Sequence, residues 1–234
     1  MGGGQVPGPI CNIVRWLGID EGTSCRHKSP SQASVGADPS HDQDIFRLSS
    51  DLPDAALMEE ACLPLLKYIR SVDARFRRRR PVGTVIDEIV IHDTDSKALK
   101  FENTLEYLKN PEDGRMVSIH YLIGREPEKI VAMVPEGQIA NHAPYHNTRS
   151  IGIELWRRET ETADFTDWQY KVLAQLVYDL LRRYRIRRTR IVGHGFFQGD
   201  RRGEPHGFDW ARLDDLLDDI NRRVKDFDPK YAAF

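Results

Sequence analysis

Apolar positions follow no sustained period over residues 1–50, and a pattern begins only at Asp54. From there Ala55, Leu57, Met58, Ala61, Cys62, Leu65, Leu66 and Ile69 share one broad face. That spacing predicts a helix in a 51–80 extension, fading through residues 75–80 and stopped by Pro81. Ile89-Val90-Ile91 predicts a short buried strand ending at His92, and residues 101–109 a helix closed by Asn110-Pro111. Val117, Ile119, Tyr121 and Ile123 alternate with Ser118, His120 and Leu122, which predicts a strand with residues 129–134 as its hairpin partner. Ile151, Ile153 and Leu155 alternate with Gly152, Glu154 and Trp156, so Glu154 turns away from the apolar face. Thr166 and Gln169 form a capping box opening a helix with Leu173, Leu176, Val177, Leu180, Leu181 and Tyr184 on one side. Arg190-Ile191-Val192 is a strand ending at Gly193-His194, and a last helix runs over residues 210–224. The implied class is α/β, a mixed central β-sheet flanked by helices.

Composition changes the picture at the N-terminus. Residues 1–50 are rich in Gly, Pro, Ser, Asp and Gln and cannot bury enough surface to offset their ordering entropy, so a disordered tail is expected there. The organisation is then a 1–50 tail, a 51–80 helical extension and an 81–228 domain of alternating strands and helices. Charge adds an exclusion: 34 basic against 36 acidic side chains give a net charge of −2, too balanced for a chain-wide grip on nucleic acid. No apolar run approaches the roughly 20 residues that span a bilayer. Three cysteines, Cys11, Cys25 and Cys62, show no Cys-x-x-Cys spacing and argue against a disulfide framework or a thiolate zinc site. The first residues lack a basic and an apolar secretory region, so the cytoplasm is the expected compartment. The runs 77–80 and 182–188, rich in arginine, read as solvated helix ends or as anion contacts.

Two histidines stand in equivalent places, each after a short β-branched strand. Beyond His194 a loop carries Asp200, Arg201, Arg202, Glu204 and His206. Two imidazoles and one carboxylate around a cation leave a fourth position for water, as in catalytic zinc sites. From spacing alone, hydrogen-bonded structural histidines are the commoner arrangement.

Five ordered segments resemble the zinc-dependent N-acetylmuramoyl-L-alanine amidases, the family that includes phage lysozyme-like amidases and peptidoglycan recognition proteins. They are Ile89-Val90-Ile91-His92-Asp93-Thr94, Val117 through Ile123, Asn141-His142-Ala143 with Asn147 through Glu154, Ile191-Val192-Gly193-His194, and Glu204-Pro205 through Phe208-Asp209-Trp210. Together they run from about Val85 to Leu216. The resemblance implies the peptidoglycan recognition protein (amidase-like) fold, a Zn2+ cofactor on His92, His194 and Glu204, and Glu154 as general base. It implies a peptidoglycan or muropeptide substrate, cut at the amide between the lactyl group of N-acetylmuramic acid and L-alanine. His142, His120 and Asn147 are the substrate-contact candidates. His120 reads first as a satisfied structural histidine, and Asn147 as a turn residue or loop organiser.

The chain departs from the family's Lys-x-Asp-Pro by reading Arg202-Gly203-Glu204-Pro205-His206. Arg202 takes the oxyanion-stabilising place but stays protonated. His206 rivals Glu204 as third ligand. A muropeptide-binding module without catalysis and a zinc amidase for a different amide are the alternatives.

Overall fold

The computed structural model describes residues 63–94, 100–157, 165–198, 203–227 and 229–234. The expected 1–50 tail and the first part of the helical extension lie outside them. All described residues belong to one compact unit, Met58–Phe234.

Among the described residues eight strands form two sheets: β1 (Arg70–Ser71), β2 (Arg77–Arg79), β3 (Glu88–Asp93), β4 (Tyr121–Ile123), β5 (Ile130–Ala132), β6 (Gln138–Ala140), β7 (Ser150–Leu155) and β8 (Ile191–Gly193). Six make the main sheet in the order β1-β5-β4-β7-β3-β8, while β2 and β6 pair separately and antiparallel. β4 and β5 are the expected antiparallel hairpin, and the other neighbours in the main sheet run parallel. Among the described residues the helices that cover it are α1 (Phe101–Lys109), α2 (Asp167–Tyr184) and α3 (Trp210–Phe227). The sheet is therefore mixed and flanked by helices, as the periodicities imply.

Burial follows from the alternation of side chains. Ile89 and Ile91 of β3 and Ile151, Ile153 and Leu155 of β7 are fully buried. α2 contributes Val172, Leu173, Leu176, Val177 and Leu180, and α3 contributes Leu213, Leu217, Ile220 and Val224, all buried. α2 starts at a complete capping box: Thr166 Oγ1 accepts from Gln169 N, and Gln169 Oε1 accepts from Thr166 N at 3.1 Å. α1 packs elsewhere, in a cluster of Phe101, Leu105 and Leu108 with Ile119, Leu122, Val131, Met133 and Trp156. Trp156 Nε1 donates to Thr104 Oγ1 at 3.0 Å and locks that helix to the end of β7. Leu122 pairs in register with Glu154, so α1 covers the β4–β5 part of the face that carries Glu154.

The helix expected to fade through residues 75–80 is corrected. Its described part holds only a 3-10 turn, Pro64–Tyr68, followed by β1 and β2. Leu65 N donates to Gln175 Oε1 at 2.8 Å, which anchors this turn on α2. The arginines of β2 find a partner strand in Gln138–Ala140, and strand pairing overrides the helical tendency of an arginine run.

Candidate active site

Register builds the centre of the site. β3 and β7 are parallel neighbours with Glu88 opposite Ser150, Val90 opposite Gly152 and His92 opposite Glu154. Paired residues point to the same face, so His92 and Glu154 emerge side by side. β8 continues the row: Val192 lies opposite Val90, and His194 follows two residues later. The rings of His92 and His194 are 4.6 Å apart between centroids.

Glycines let the third group approach. A Cβ at Gly193 would stand 2.7 Å from the Glu204 carbonyl oxygen and 2.8 Å from Pro205 Cδ, closer than atoms pack. Gly195 N donates to that same carbonyl at 2.9 Å. The turn carrying Glu204 thus lies directly on the end of β8. Its carboxylate spans the two rings, with Oε1 3.3 Å from His92 Nδ1 and Oε2 2.7 Å from His194 Nδ1. Burial pushes the Glu204 carboxyl up, but the His194 and His92 rings beside it outweigh that and hold it down at about 2. Burial lowers His92, against the pull of Glu204. A cavity of about 560 Å³ borders this turn and is walled by Val192, Phe196 and Trp210.

The donor set suits a divalent cation. One atom each from His92, His194 and Glu204 lies within 4.8 Å of the others. Two imidazole nitrogens and a carboxylate oxygen match zinc's preferences and leave an open coordination position. Among the described residues, no lysine or arginine pairs with Glu204, so its mostly buried charge faces only the two imidazoles. Glu154 stands beside the triad. Burial raises its carboxyl well above the ordinary range, and the charges of Glu204 and Asp93 add to this.

A layer of residues lies behind these groups. His142 places Nδ1 3.0 Å from His92 Nε2 and Nε2 3.2 Å from Ser150 Oγ. The Asn147 side-chain oxygen accepts from the backbone amides of His142 at 2.9 Å and Ala143 at 2.6 Å. Gly152 N donates to His120 Nδ1 at 2.9 Å, and His120 Nε2 lies 3.2 Å from the Gln138 carbonyl. Arg80 is buried, and its guanidinium donates to the carbonyls of Glu136 (2.8 Å), Asn147 (3.2 Å), Thr148 and Ser150 (2.8 Å). One side chain therefore clamps the turn before β6 to the approach to β7.

The structure brings together His92, His194, Glu204 and Glu154 of the residues singled out from the sequence. His206 is drawn aside: Asp93 accepts from its backbone amide at 3.1 Å and lies 3.1 Å from its Nδ1. Asp93 also pairs with Arg157 at 2.7 Å. Arg202 lies outside the described residues. His120 is corrected as a substrate contact, because its ring is fully buried with both nitrogens engaged. Asn147 likewise has its side-chain oxygen on the His142 loop, the organiser's role. The arginine runs are corrected in part: Arg185 and Arg187 stay exposed just past the end of α2, as a solvated helix end would have them, while other members are engaged. Arg80 is internal, Arg183 forks onto the buried Glu136 at 2.6 and 2.8 Å, and Arg188 pairs with Asp214 and Asp218. Arg80, Asp93 and Ser150 were not singled out. For Asp93, adjacency to His92 in a buried strand was the available signal; for Arg80 nothing distinguishes it from its exposed neighbours.

Comparisons with known proteins agree with this geometry. A family model described as N-acetylmuramoyl-L-alanine amidase matches residues 82–207, more than half of the chain. A 1,6-anhydro-N-acetylmuramyl-L-alanine amidase, AmpD, of Citrobacter freundii is 38% identical over 110 residues, covering 43% of this chain and 57% of that protein. The chain thus spans less than two thirds of that relative's length. AmpD of Salmonella typhimurium (strain SL1344) is 33% identical over 144 residues, covering 58% of this chain and 72% of that protein. The crystal structure of a selenomethionine AmpD derivative superposes with a TM-score of 0.55 at 28% identity, covering 64% of this chain and 94% of the other. No helix among the described residues is long and apolar enough to cross a membrane.

Proposed function

We propose, from the premise that this chain belongs to the N-acetylmuramoyl-L-alanine amidase family, that it is a zinc-dependent hydrolase of the amide joining the muramic lactyl group to L-alanine. The names of its AmpD relatives support 1,6-anhydro muropeptides as the substrate class. The observation that carries the reading is the convergence of His92, His194 and Glu204 beside Glu154 on one sheet face.

His92, His194 and Glu204 would hold the ion. A bound zinc ion lowers the pKa of a water ligand toward about 7 and polarises the scissile carbonyl. Glu154 takes one proton from the attacking water as its oxygen bonds to the carbonyl carbon. It returns that proton to the L-alanine nitrogen as the amide C–N bond breaks. Burial works against the ionised form of Glu154 that a base requires, and a cation held by the triad would favour it. Arg202 is assigned the developing oxyanion from its motif position, through its forked donors.

The test is mass spectrometry of anhydro and reducing-end muropeptides incubated with the zinc-loaded protein and with a chelated control. Release of peptide beginning with L-alanine, only where zinc is present, is the expected result. Intact muropeptide with zinc bound would move the reading to a binding module or a different amide. Glu154→Gln should retain zinc while losing about 10²–10⁴ in turnover. Near-normal turnover in that variant would place the base elsewhere.

A further inference from the structure

The groups behind His92 form a directed chain of hydrogen bonds. It ends at the His146 carbonyl, 2.8 Å from Ser150 Oγ. A carbonyl only accepts, so the single Ser150 hydroxyl proton points there. Ser150 Oγ is also 3.2 Å from His142 Nε2, and with its proton committed it accepts from that ring. A His142 ring with its one proton on Nε2 has a bare Nδ1, which faces His92 Nε2 at 3.0 Å. His92 then donates from Nε2, leaving its Nδ1 lone pair aimed toward Glu204 Oε1 at 3.3 Å. Two acceptors so placed call for a cation between them.

We infer that His142 is a positioning residue: its Nδ1 accepts the His92 Nε2 proton, Ser150 fixes the direction of that bond, and His92 is thereby presented to the metal through Nδ1. The inference rests on the proposed zinc site, and it replaces the substrate contact expected for His142. Two further features belong to the device. A Cβ at Gly152 would lie 2.6 Å from the His142 ring, so only glycine lets the imidazole lie against β7. Asn147 holds the backbone amide of His142 in place. A histidine ligand whose second nitrogen donates to a fixed acceptor keeps one tautomer, and loss of such a partner costs about 10–100-fold in metal affinity.

Leucine and asparagine have nearly the same shape, but only asparagine carries an acceptor oxygen where Nδ1 stood. Zinc affinity is measured by chelator competition in the full chain for the wild type, His142→Leu, His142→Asn and Ser150→Ala. The expected result is a loss of about 10–100-fold for His142→Leu, a value near wild type for His142→Asn, and a smaller loss for Ser150→Ala. In the zinc-loaded wild type, nitrogen-15 NMR should show a slowly exchanging His92 proton on Nε2 that becomes labile in His142→Leu. Equal affinities for the leucine and asparagine variants, or a His92 proton on Nδ1 in the zinc-loaded protein, would overturn the inference. Wild-type protein that binds zinc but cleaves no muropeptide would sink the functional reading and leave this one standing. Normal cleavage with equal variants would do the reverse.

Discussion

At the scale of single residues, His120 shows what burial does to an imidazole. Burial comes first among the causes that push it down to about 3, and the nearby Arg80 charge adds to it. The unfolded chain, whose histidine titrates near 6.5, therefore binds a proton that the folded protein refuses. Stability from this residue is fully present above pH 6.5 and is lost as pH falls from there toward 3. His120→Asn keeps an acceptor for the Gly152 amide without a titrating ring. Denaturant midpoints at pH 7.5 and pH 5 should fall more steeply for the wild type than for this variant, and matching slopes would remove His120 as the acid-sensitive group. The residue scale is also where the sequence was least legible. His92, His194, Glu204 and Glu154 were readable because strand ends and alternation fix where a side chain emerges. Arg80 was not, because burial of a guanidinium depends on carbonyls 56 to 70 positions away.

Elements carry the site through close approach. β8 is only three residues long and lies at the sheet edge, yet it seats both His194 and the Glu204 turn. Gly193→Ala should push the turn off β8, because the new methyl group meets backbone and proline atoms with no freedom to rotate away. The expected outcome is a stability loss of about 1–3 kcal/mol, typical of overpacking, together with weaker zinc binding, although no ligand has changed. Thr166→Ala is the matched control. It removes an N-cap for about 1 kcal/mol and should leave zinc affinity intact. Isothermal zinc titration of both variants checks the pair, and equal affinities would separate the glycine from the site. α1, α2 and β7 were legible because long or strictly alternating apolar patterns admit one reading. β1, β2 and β6 carry two or three residues each, too few for any period, and their pairing is decided by tertiary partners.

For the molecule as a whole, His92 and Glu204 join positions 112 residues apart. A cation between them would stabilise the folded state by mass action, about 2.7 kcal/mol at a free concentration 100 times its dissociation constant. The melting temperature should accordingly rise with added zinc and fall on chelation. Hydrogen exchange at the Gly195 amide, bonded to the Glu204 carbonyl, should quicken when zinc is removed. A melting temperature indifferent to zinc and chelator would mean that no ion bridges the two ends.

Arg80 also fixes how the protein can be divided. The family match begins at residue 82 and ends at 207, but the clamp on the His142 loop stands just before it, and β1, β2 and α3 fall outside it. A fragment trimmed to the recognisable motif would contain His92, His194, Glu204 and Glu154, yet it would strand four carbonyls, bare the β5 edge and uncover the apolar side of α2. For anyone engineering or grafting this site, the smallest transferable part is therefore larger than the part that heredity makes visible.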